Sequence, residues 1–307
     1  MFLTLIFLIL TILILTHSEI SFLYALNGFA LWYGKMIPSL LPFMIMSGIL
    51  IRLNLSEKFA SVLHPLLGKI YKCNNHITYA IIIGFLCGFP MGAKVTADLL
   101  KNKKINSKEA EFLLAFNNNI GPVYFCGFVI PLLHLQKVHI CLFGMYGIPL
   151  IYAYFIRRTI FNNETNFTPS TKENDISMLN KTERISLFDG IDASIHNSIQ
   201  SILMLCGYMI LFNTLNILPH FIVPSFSKYI SPILEITGGL SQISNTAPMY
   251  SLCLLQFGGL SCIAQTNCMI RNTNLSLKKY ILHKVNISII TFMFYFAVIY
   301  LFKIKLF

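Results

Sequence analysis

The chain has 307 residues, of which 55% are hydrophobic and 11% charged, with a mean hydropathy of +0.68. A water-soluble domain carries roughly 25% charged residues, so a single soluble globule and a disordered chain are both excluded. Eight cysteines without tight spacing exclude a disulfide scaffold. The net charge of +11 does not indicate nucleic acid. Residues Arg157–Asp192 hold five basic and six acidic side chains, and the rest of the chain carries +12; basic residues sit at the ends of apolar runs (Lys101, Lys103, Lys104, Lys108; Arg157, Arg158; Lys278, Lys279, Lys284; Lys303, Lys305). Charge so placed suits lipid headgroups and the positive-inside bias, which leaves an integral membrane protein with the lipid bilayer as its first partner.

In chain order, Met1–Ser18 is an apolar run with no basic leader and no small-residue cleavage site, and reads as an uncleaved membrane helix. Ile20–Gly34 is short and aromatic and is expected to lie along the interface. Met36–Ile51 is the next membrane segment, closed by Arg52. Ile77–Ala93 follows, then Lys94 and Asp98. Asn106 with Glu109 three residues on predicts a capped helix start. Phe112–Leu133 is long enough to cross, but Asn117-Asn-Asn-Ile-Gly-Pro122 interrupts it. Val138–Ile156 ends at Arg157-Arg158. Thr159–Asp192 is the one sizeable polar stretch and reads as a cytoplasmic linker. Asn197–Leu218 and Val285–Phe302 are further spans. Ile236–Ile270 carries no formal charge but contains Gly238-Gly239, Pro248 and Gly258-Gly259, and is too interrupted for one helix.

Long apolar runs without ten-residue alternation argue against a membrane β-barrel. The expected fold is an all-α polytopic membrane protein: about eight membrane segments in two repeated halves with broken or re-entrant helices. Four regions follow: an N-terminal helix and interfacial segment (1–34), a first half (35–156), a polar linker (157–196), and a second half with a C-terminal helix (197–307). The halves align at Ser39–Leu55 with Ser201–Ile217, at Leu63-His-Pro65 with Ile230-Ser-Pro232, and at Cys87–Lys94 with Gly258–Gln265. Paired interrupted helices are how repeat-built transporters are made. Basic clusters follow both halves, which wants one side of the membrane, whereas an inverted repeat wants opposite sides; both arrangements stay open.

Polar side chains inside apolar runs are the candidates for chemistry, because hydrocarbon tolerates them only beside a cavity or a partner. Lys94 follows a Gly/Pro-broken segment, and its nearness to Asp98 also allows it to snorkel to headgroups. Glu235 is the only acid after Asp192, followed by the polar but uncharged stretch with Gln242 and Asn245. Asn117, Asn118 and Asn119 precede Pro122, which frees backbone carbonyls there; their amides suit a neutral polar solute. Gln265 is a solute contact or an interhelical hydrogen bond. Gly88, Pro90, Gly92, Gly121, Pro122, Gly238, Gly239, Gly258 and Gly259 mark the helix breaks, or close helix packing. Cys73-Asn-Asn-His76 is the only metal-like spacing and predicts no site; no cofactor, metal or catalytic residue is expected, no phosphate loop is present, and no enzyme activity is anticipated.

The blocks Gly88-Phe-Pro-Met-Gly-Ala-Lys94, Glu109–Asn118, Glu235-Ile-Thr-Gly-Gly239 and Phe257–Gln265 resemble the sporulation integral membrane proteins of the YlbJ type, over roughly residues 25–300. That group falls within the nucleoside-recognition or Gate domain family, shared with concentrative nucleoside transporters. Asn119-Ile-Gly-Pro122 departs from the pattern, where a Ser or Thr precedes the proline. The resemblance implies a multi-pass protein of the bacterial cytoplasmic or forespore membrane, needed for spore formation. Joined to the polar breaks, it leads to the expectation of a permease for a small polar solute, nucleoside-like or an organic anion. The alternative is a non-transporting scaffold of a sporulation complex. The expected partners are the solute, a second copy of the chain or other sporulation membrane proteins.

Overall fold

The computed structural model describes residues 2–162, 186–243 and 246–306. Asn245 and most of the 157–196 linker therefore lie outside the described residues. The described chain is helical throughout: α1 (Phe2–Thr16), α2 (Ser18–Arg52), α3 (His64–Tyr71), α4 (Asn75–Cys87), α5 (Met91–Lys101), α6 (Ser107–Phe116), α7 (Pro122–Leu132), α8 (Val138–Thr159), α9 (Leu187–Ile222), α10 (Ser227–Leu234), α11 (Ile236–Ile243), α12 (Pro248–Phe257), α13 (Gly259–Ile270) and α14 (Leu277–Leu301). Five stretches are long and apolar enough to cross a bilayer: α2, α8, α9, the run Pro248–Ile270, and α14. Thr4–Thr16, α4 and α7 are apolar but shorter.

The aromatic segment 20–34, expected to lie separately at the interface, is instead the first half of α2. It passes through a widened turn at Trp32–Met36 and continues to Arg52. The reason is lateral: α2 is clamped along its length by α9, running antiparallel. His17 stacks on Phe221 at 4.1 Å between ring centroids. Asn27 Nδ2 donates to Asn213 Oδ1 at 3.3 Å, and Trp32 Nε1 to the Ile202 carbonyl at 2.8 Å. Gly28 sits against the Met209–Ile210 backbone and Gly48 against Ser194. Contacts step down α9 as they step up α2, so tertiary packing rather than interfacial amphipathicity decides this segment.

The predicted start at Asn106 is a complete capping box. Its side chain accepts from Lys108 N and Glu109 N at 2.9 Å, and Glu109 accepts from Asn106 N at 2.7 Å. Asn74 caps α4 by accepting from Ile77 N at 2.9 Å.

Two pairs of short helices fold back on themselves. Gly84 on α4 and Gly92 on α5 both lie against Asn117, so the two arms flank one residue of the break that follows α6. A β-carbon at either glycine would run into Asn117. Gly88, at φ +86°, makes the turn between the arms and touches Gly121. In the second pair, Gly239 on α11 sits against the Pro232 backbone of α10, and the turn is at Glu235. The other two breaks do not reverse the chain in this way. Gly258, at φ +90°, interrupts a run that carries on from Pro248 to Ile270, and Gly259 lies against the carbonyls of Pro232 and Ile233. Each hairpin turn thus touches the broken helix that follows it in the chain.

Lys279 Nζ on α14 pairs with Glu111 on α6 at 2.9 Å. That ion pair sets the basic loops 101–108 and 271–279 at the same end of the molecule.

Candidate functional site

Three discontinuities, with residues flanking a fourth, line one cleft of about 640 Å³. The first hairpin turn supplies Cys87 and Phe89, the break after α6 supplies Ile120 and Gly121, and the second hairpin supplies Ile236 and Thr237. Cys262 and Gln265 come from α13, Tyr124 from α7, and Lys35 with Ser39 from the middle of α2. The wall is largely apolar, and among the described residues Lys35 is the only formally charged side chain lining it. Its ammonium stands 3.5 Å from the centroid of the Phe128 ring, a cation–π contact that holds the charge at the wall. Tyr124 Oη is buried there, beside Thr237. Irregular backbone at membrane depth is tolerated where it lines such a cavity.

The sequence-predicted residues fall into separate places. Gln265 does reach the cleft, 4% exposed, with Nε2 donating to Ser261 Oγ at 3.0 Å. Lys94 does not: it pairs with Asp98 at 3.3 Å and lines a second, polar cleft of about 420 Å³ with Arg52, Asn102, Ser194 and Asn197. Gln242 is exposed.

Glu235 is 1% exposed and turned into its own hairpin. Oε1 accepts from Thr237 N at 3.0 Å and Oε2 from Gly238 N at 2.6 Å, with Asn213 Nδ2 at 3.5 Å. Carboxylate bonded to amides at a helix start is a favourable local arrangement. Lys94 and Glu235 are therefore not partners, since each is satisfied by near neighbours on its own segment.

The three asparagines are all fully buried, and they are tied to protein rather than open to the cleft. Asn117 Nδ2 donates to the Ala80 carbonyl at 2.7 Å, while its Oδ1 has no partner among the described residues. Asn118 Nδ2 donates to Thr266 Oγ1 at 2.8 Å and Tyr280 Oη at 3.1 Å, and its Oδ1 accepts from Ala93 N at 3.3 Å. Asn119 Nδ2 donates to the Phe116 carbonyl at 2.7 Å.

Lys284, which its sequence groups with headgroup-facing charge, is fully buried. Its ammonium donates to the Asn118 carbonyl at 3.0 Å and to Asn119 Oδ1 at 3.1 Å, and stands 4.8 Å from the Phe89 ring centroid. Sequence reasoning missed Lys284, Lys35, Tyr124 and Thr237 as site residues. Lys35 carries a signal: it is a lone cation between two uncharged runs. Lys284 carried little, because Lys278 and Lys279 precede it and make it look like the tail of a basic cluster.

No family model and no solved structure matches the chain. Among curated proteins, it is 26% identical over 91% of its length to the sporulation integral membrane protein YlbJ of Bacillus subtilis (strain 168), covering 78% of that protein. The resemblance to the YlbJ type is thus shown by a match along nearly the whole chain. With five apolar helices of membrane-crossing length, the chain is a multi-pass membrane protein.

Proposed function

We propose that the chain is a sporulation membrane permease of Gate type for a small polar solute, in the cytoplasmic or forespore membrane, and that the solute occupies the cleft between the two hairpin turns. The observation that carries this reading is that both hairpin turns, the break after α6 and residues flanking the Gly258-Gly259 break line that one cleft. Repeat-built transporters place their substrate sites at such junctions of discontinuous helices. The similarity to a sporulation integral membrane protein supports the setting. Of the two solute classes, nucleoside-like and organic anion, the lone cation Lys35 favours the anion, with Ser39, Thr237 and Gln265 supplying neutral contacts.

The two halves are inverted in this proposal, and the equivalences shift: the α4–α5 hairpin answers the α10–α11 hairpin, and broken α6–α7 answers broken α12–α13. The Lys279–Glu111 pair supports it. The helix α6 starts at the end of the molecule where α13 finishes, so the two broken helices run in opposite senses while both basic loops stay on one side. This removes the conflict between charge and inversion. Rocking one half against the other would then expose the cleft alternately.

The test is flux into proteoliposomes across a panel of nucleosides and small mono- and dicarboxylates. Lys35→Ala is expected to reduce anion flux about ten- to hundredfold, the equivalent of one charge-assisted contact. Lys94→Ala, in the other cleft, is expected to leave it near wild type. Absence of flux for every solute would overturn the permease reading and leave the scaffold.

A further inference from the structure

The break after α6 is built around a positive charge. Pro122 cannot donate a hydrogen bond, and the residues before it are not helical, so carbonyls that a continuous helix would satisfy are freed. One of these, at Asn118, and the amide oxygen of Asn119 converge on the Lys284 ammonium, with the face of Phe89 close by. All three residues of that polar contact are fully buried. Lys284 comes from α14, more than 160 positions along the chain from the oxygens it serves. Its nearest acid by hydrogen bond or ion pair is none among the described residues, since its partners are neutral oxygens. An ammonium buried this way is costly unless its donors are used, and the reverse holds too: the oxygens are left bare without it.

We propose that the Asn118–Asn119 break is a site for an ammonium-class cation, one that this chain fills with its own Lys284 side chain. Two oxygens about 3 Å away and an aromatic face match the three N–H donors and the charge of a primary ammonium. They are a poor set for sodium, which needs a closer and fuller shell of oxygens. Tethering keeps a nitrogen donor at the break whatever salt is present. Phe89, whose ring stands against the ammonium, is also one of the residues that line the large cleft. The inference does not depend on which solute the cleft takes, or on whether the chain transports at all.

The experiment measures unfolding midpoints of wild type, Lys284→Ala and Lys284→Ser in detergent at pH 7, in equal concentrations of sodium chloride, ammonium chloride and methylammonium chloride. Wild type is expected to give one midpoint in all three. The variants are expected to melt lower in sodium chloride and to regain about 3 °C or more in the ammonium salts. Equal midpoints for either folded variant in the three salts would overturn the proposal. If neither variant can be purified folded in sodium chloride, recovery in methylammonium chloride supports it. Failure of both in the ammonium salts as well overturns it, since a free cation then cannot replace the side chain.

Discussion

The two hairpin turns solve one physical problem in different ways. At Glu235 the charge and the groups that neutralise it lie within three residues: the carboxylate accepts from Thr237 N and Gly238 N, and the turn carries its own cap. At Gly88 the turn is held from outside. Gly121 backs it, Asn117 fills the space between its arms, and the charge that satisfies the neighbouring break arrives from α14. A break stabilised locally survives changes elsewhere in the fold, whereas a break stabilised across the molecule exists only when the distant helix is docked. The first hairpin is therefore the one whose order depends on tertiary assembly.

Substitutions separate these two modes, and the largest effect is expected at the first hairpin. Gly92→Val would drive a branched side chain into the Asn117 backbone. That contact is with main chain and cannot rotate away, so a loss of about 3 kcal/mol or more is expected, seen as absence of a monodisperse peak in size-exclusion chromatography. A normal peak and melting curve would break the claim that Asn117 is wedged between the arms.

Next comes Lys284→Met, which keeps the stem but leaves the Asn118 carbonyl and Asn119 Oδ1 without their buried donor. A cost of about 2–3 kcal/mol is expected from stranding these oxygens, read as a lowered midpoint in sodium chloride. An unchanged midpoint would show that the distant charge is dispensable to the break.

Glu235→Gln should cost less, about 1 kcal/mol. One amide oxygen still accepts a backbone N–H, and only the second contact is lost. If it proved as damaging as Lys284→Met, the local and long-range breaks would not differ in kind. The smallest effect is expected at Lys279→Ala. Its side chain is 61% exposed in the pair with Glu111, and such pairs contribute at most about 0.5–1 kcal/mol. Stability should hardly change, and the salt dependence of that small change would sharpen the comparison with buried Lys284.

The contrast also accounts for what could be read before folding. Glu235 stood out in sequence because nothing else acidic follows Asp192, and its local cap needed no distant information. The Asn106 start was equally legible, since donor and acceptor are three residues apart. The asparagines before Pro122 were recognised as a break, but not that their amides are used up inside the protein on Ala80, Thr266, Tyr280 and Phe116. The cleft itself escaped, because Lys35, Tyr124, Thr237 and Gln265 lie on four different elements.

Composition and spacing by themselves determined that this chain lives in a bilayer, that its helices are broken at the Gly- and Pro-rich points, and where several of them start. Those properties follow from transfer free energy and from backbone geometry within a few residues. Only the tertiary structure decided that Lys94 and Glu235 serve separate neighbourhoods, that the aromatic segment joins α2 along α9, and that Lys284 closes the first break. Such choices depend on which helix docks beside which, and in a medium without water every freed carbonyl must find its donor there.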